Sequence, residues 1–133
     1  MTTHKAADLI GAHLDAAVMK AHGLPYVIEF NPVTNPDPVW HMHVYQARKD
    51  AANRADYNVG PVEASRDWRI GGAIIEREAI SLHVIVSGWA ARSNTSVANP
   101  GAVVGPEMTG STALIAAMRA YVASKLGETV ELP

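Results

Sequence analysis

The chain has 133 residues, 48% of them hydrophobic and 18% charged, which is the length and composition of one ordinary globular domain, residues 1–133. A formal net charge of −2 excludes the strongly basic class that wraps nucleic acid, and the absence of cysteine excludes disulfides, thiolate metal ligands and cysteine nucleophiles. No uninterrupted apolar run reaches membrane-spanning length, and the first residues, broken by Asp8, His13 and Asp15, do not read as a secretory leader.

The first predicted element is a helix over about 4–22, capped by Thr3. Its apolar stripe is Ile10, Leu14, Ala17, Val18 and Ala21, and Gly23 and Pro25 stop it. An extended run, Tyr26 to Phe30, follows. Three prolines between Pro32 and Pro38 then exclude regular structure. Residues 39–46 alternate as a strand, with Trp40, Met42 and Val44 on one face and His41, His43 and Tyr45 on the other. The polar stretch 47–58 fits either a loop or a short helix. A second helix is predicted over 67–79 with Asp67 as its cap, and the Gly71-Gly72 pair inside it suggests close approach by another backbone or a ligand. Ile80, Leu82, Val84 and Val86 alternate with Ser81, His83 and Ile85 in the clearest strand of the chain, and 88–92 continues it after a bend at Gly88. Residues 92–110 have the composition of a long loop. Ser111 or Thr112 caps a last helix over 112–126, Gly127 ends it, and 128–132 completes a short strand. The expected fold is α+β: two main helices and a shorter third on a small, mainly antiparallel sheet. Such a sheet has exposed edges, which suggest pairing in a homodimer.

Candidate sites are few. His41 and His43 lie two apart and point the same way, as two metal ligands could, with His83, Glu76 or Asp37 as a third. Zinc sites need three or four ligands, so the polar face of a half-buried strand is the preferred reading. Asp67 and Trp68 ahead of Gly71 and Gly72 are neither a dinucleotide fingerprint nor a phosphate loop. Trp68 is expected to fasten the helix to the sheet while the glycines permit tight packing. Glu76 and Glu78 are two apart on a helix, point apart, and read as a solvated helix end. No nucleophile elbow surrounds any serine. Trp40, Trp68 and Trp89, with Arg66, Arg69 and Arg92, could stack single-stranded nucleic acid or anchor a protein partner. Residues 48–92 carry seven basic and six acidic side chains, a mixed surface that disfavours nucleic acid.

The run Asp67-Trp68-Arg69-Ile70-Gly71-Gly72-Ala73-Ile74-Ile75-Glu76-Arg77 resembles the core signature of the phage NinX-like family. Trp89-Ala90-Ala91, the run Ser111 to Arg119, and Leu14-Asp15, Ala17-Val18 and Gly23 fit the same pattern, whereas 36–62 departs from the shorter members. The resemblance implies a phage or prophage accessory protein in the cytoplasm of a bacterial host. It carries no assigned activity and so supplies no catalytic residue and no cofactor. The resemblance and the lack of any strong catalytic motif together point to a non-enzymatic module that binds a host or phage protein. Its surface would be formed by Trp68, Arg69, Gly71, Gly72, Trp89 and Arg92. A His41–His43 metalloenzyme and a weak single-stranded nucleic-acid binder are the alternatives.

Overall fold

The computed structural model describes residues 2–30, 42–58, 60–94 and 105–133. Seven strands and three α-helices are present among them: β1 (Thr2–Lys5), α1 (Gly11–Ala21), β2 (Tyr26–Phe30), β3 (Met42–Gln46), α2 (Trp68–Arg77), β4 (Ile80–Ile85), β5 (Gly88–Ser93), β6 (Met108–Gly110), α3 (Ala113–Leu126) and β7 (Thr129–Leu132). The fold is α+β with antiparallel pairing throughout, divided into three small sheets: β1–β7, β2–β3 and β4–β5–β6.

α3 is the axis of the molecule. It packs against α1, α2, β4, β5 and β6. The sequence predicts a single apolar stripe on this helix, but the structure buries it on nearly every side. Ala116, Ala117, Ala120 and Ala123 lie between the larger Leu114, Met118, Tyr121 and Val122, and all are buried. Alanines bring neighbouring backbones close, and a helix apolar all round belongs in a core. At its start the Thr112 hydroxyl accepts the Ile115 N–H at 3.1 Å, so of the two predicted caps, Ser111 and Thr112, it is Thr112 that serves.

The first helix departs from expectation. Residues 2–5 form β1, which pairs with β7 in the register Thr2↔Leu132 to Lys5↔Thr129, and a 3-10 turn covers Ala6–Asp8. Gly11, which opens α1, has φ of +59°, a left-handed value that no continuous right-handed helix from residue 4 could contain. Thr3 is therefore a strand residue, and Ile10 precedes α1 without a side-chain cap. Of the predicted stripe, Leu14, Ala17 and Val18 lie buried and Ala21 partly so, whereas Ile10, ahead of the helix, is 59% exposed.

β3 places Val44 in the core and leaves His43 and Tyr45 half-buried on the other face, as the alternation predicts. Residues 39–41 of the predicted strand lie outside the described residues. The segment 47–58 is a loop pinned by the Ala47↔Ala55 bridge. β4 and β5 form a hairpin whose apolar face is buried only at its base: Ile80 is covered, while Val84 is 69% exposed and Val86 fully so. β6, inside the predicted loop 92–110, pairs with β5 through Trp89↔Gly110 to Ala91↔Met108.

Candidate functional site

α2 begins at Asp67, whose carboxylate accepts the Arg69 N–H at 2.9 Å. The same carboxylate meets the Arg69 guanidinium at 3.2 Å, and these contacts hold it below the ordinary aspartate range. Trp68 is 57% exposed, and the Arg69 side chain is 91% exposed. Trp68 therefore does not fasten α2 to a sheet. The inward residues of this helix are Gly71 and Ile74. A Cβ on Gly71 would sit 2.5 Å from Leu114 Cδ2 and 2.8 Å from the Ala64 carbonyl oxygen, so Gly71 is the close-packing position against α3. A Cβ on Gly72 would make an ordinary 3.6 Å contact with the Trp68 ring, and nothing there requires a glycine.

Trp89 lies on β5, half-buried against the core and paired with Val84. Arg92, three residues along the strand, leaves by the opposite face and is exposed beside Ser81. The six residues singled out by sequence thus divide: Trp68 and Arg69 share an exposed helix end with Gly72 beneath the Trp68 ring, Gly71 is internal, and Trp89 and Arg92 occupy opposite faces of β5.

His43 faces Glu63, Nδ1 to Oε1 at 3.9 Å, and its ring meets Tyr45 edge-on. His41 and Asp37 lie outside the described residues. Among the described residues no group of three or more His, Asp or Glu side chains converges as metal ligands would. Glu76 is solvated as expected, but Glu78 is not. It is buried just beyond α2, 3.4 Å from Lys125 Nζ on α3 and 3.3 Å from Arg77 Nε.

Two features escaped the sequence reading. Asp15, on the inner face of α1, is only 4% exposed and accepts the Ser65 N–H at 2.9 Å. It borders a cavity of about 260 Å³ with His43, Glu63 and Ser65. Burial pushes its carboxyl up to about 6, against the pull of the Ser65 hydrogen bond. A carboxylate between Leu14 and Val18 on an apolar stripe was the available signal. The folded-state value lies above the ordinary aspartate value of 3.8. The cost of burying the charge is therefore absent below pH about 4, grows as pH rises, and is complete above pH about 6, reaching about 3 kcal/mol. Asp15→Asn keeps an acceptor for Ser65. Its stability relative to the parent should rise between pH 4 and pH 7 by about that amount, read from paired urea denaturation curves.

The second feature is a polar cluster joining α1, α2 and α3. Tyr121 Oη lies 3.2 Å from His22 Nδ1, and Arg77 reaches both, at 3.4 Å to His22 Nε2 and 3.4 Å to Tyr121 Oη. Burial, and then the Arg77 charge, lowers the His22 pKa, which keeps the ring neutral and able to accept.

Residues 5–125 match the family described as Bacteriophage P22, NinX. The chain belongs to that family. No curated protein matches it. The NinX match spans all three helices except Leu126 and every sheet except the β1–β7 pair, of which it includes only Lys5. The α3-centred body of this NinX-family chain thus lies within the matched region, and the terminal strand pair, whose Val130 and Leu132 are buried in the core, lies almost wholly beyond it. No helix among the described residues is long and apolar enough to cross a membrane.

Proposed function

We propose that this NinX-family chain is a non-enzymatic phage accessory protein that binds a host or phage protein in the bacterial cytoplasm, with the start of α2 as its anchor. The observation that supports this reading is the exposure of Trp68. A tryptophan left 57% exposed beside an exposed Arg69 has the composition of a binding hot spot, and it contributes little to the core. Trp89 and Arg92, on a different element, would join only as the rim of a partner large enough to reach them. The net charge of −2 favours a protein over a nucleic acid.

A photo-reactive residue placed at position 72, beside the Trp68 ring, should cross-link a specific protein in infected or lysogenic cells. Trp68→Ala should abolish capture, while its unfolding free energy stays within about 0.5 kcal/mol of the parent. A large stability loss in Trp68→Ala, with no cross-linked partner, would overturn the reading.

A second reading has its own support. Among the described residues β4 is paired on one side only, Val84 stands exposed on it, and Val86 is exposed in the turn that follows. We propose that two copies pair along β4. Sedimentation should show a dimer that Val84→Lys converts to monomer.

A further inference from the structure

α1 and α2 both rest on α3, and a groove of about 220 Å³ lies between them. Its walls are Val18 and Met19 from α1 and Ile70, Ala73 and Ile74 from α2, with Val62 also lining it. Positions 70, 73, 74 and 77 recur at helical spacing, so α2 turns one continuous flank toward the groove. Seven of its nine lining residues are apolar, and the remaining two, His22 and Arg77, belong to one polar cluster. This flank is distinct from the one carrying Trp68, which does not line the groove.

The charge around Arg77 is incompletely balanced. Glu78 sits 3.3 Å from Arg77 Nε and 3.4 Å from Lys125 Nζ, so among the ion pairs of the described residues these two cations share one carboxylate, an excess of one positive charge. The terminal nitrogens of Arg77 meet a histidine ring and a phenol, neither of them anionic, at 3.4 Å, and the side chain is 49% exposed. A guanidinium fork so placed is suited to a carboxylate.

We propose that this groove binds a small amphipathic monocarboxylate, its apolar tail between α1 and α2 and its carboxylate on Arg77. The excess of a single positive charge matches a monoanion and not a phosphate dianion. At about 220 Å³ the space falls below the usual range for drug-sized or nucleotide ligands, which suits a short aliphatic tail. The wall residues from α1 and α2 are helical, with backbone groups already paired, so an extended peptide would find few partners there.

The test uses octanoate, 1-octanol and octylammonium, titrated into the full chain and followed by backbone amide shifts. Octanoate should perturb Val18, Ala73 and Arg77 in the millimolar range or below. Arg77→Gln should weaken octanoate by about tenfold and leave 1-octanol unchanged, because only the charge contact is lost. Ala73→Leu, an exposed helix position, should fill the groove and remove binding of both without unfolding the chain. Trp68→Ala should bind octanoate like the parent, which separates this site from the protein-binding surface. Absence of groove shifts with octanoate would overturn the proposal. So would equal binding of octanoate and octylammonium, and so would an Arg77→Gln variant that binds octanoate unchanged.

Discussion

Gly88→Ala should destabilise the fold by about 4 kcal/mol, the largest effect expected of any single added methyl group. Two independent causes act at this position. Its φ of +143° is a conformation that residues with a Cβ rarely adopt, and forcing one there costs about 1–3 kcal/mol. An added Cβ would also collide with the Gly110 carbonyl oxygen and approach Ser111 Cα at 3.2 Å, both of them backbone and unable to swing aside. Overpacking of that kind costs about 1–3 kcal/mol more. The damage should be local in origin, because Gly88 directly precedes the first rung of the β5–β6 ladder, Trp89↔Gly110, and Gly110 belongs to it. Urea denaturation should show a lower midpoint with little change in slope, and amide exchange should be fastest at β6. A variant as stable as the parent would mean that the β5–β6 junction relaxes freely.

Met118→Ala should cost about 3 kcal/mol, or roughly 12 °C in Tm for a domain of this size. Met118 is fully buried at the middle of α3, the helix on which α1, α2 and the β4–β5–β6 sheet pack. Alanine is the best helix former, so the substitution leaves the intrinsic propensity of α3 intact. The loss therefore reads packing alone: the removed thioether chain leaves a cavity that a rigid helix surrounded on all sides cannot collapse. If the cost falls below 1 kcal/mol, the centre of α3 is less tightly surrounded than the structure shows.

The helices and hairpin strands were legible because their signals are local. Asp67 and Thr112 cap the helices they were expected to cap, and the alternation from Ile80 onward gave β4. β1 and β6 were not legible, because each is stabilised by a strand distant in sequence. Thr2–Lys5 becomes a strand through β7, and Met108–Gly110 through β5, and neither carries a pattern of its own. Trp68 was misplaced for a related reason. Helical periodicity identifies the stripe Ile70 and Ile74, but which flank is covered depends on Gly71 meeting Leu114 forty-three positions later. Candidate sites suffer most from this. Asp15, Ser65 and His43 border one cavity, and His22, Arg77 and Tyr121 one polar cluster, yet their members lie dozens of residues apart and form no motif.

The pairing of β1 with β7 also sets an order of events during synthesis. The first strand of the chain leaves the ribosome some 125 residues before its partner, and the central body around α3 is available to assemble in the interval. Residues 2–5 therefore stay without this partner until residues 129–132 have emerged, so the β1–β7 pair forms after the whole sequence of the α3-centred body is available.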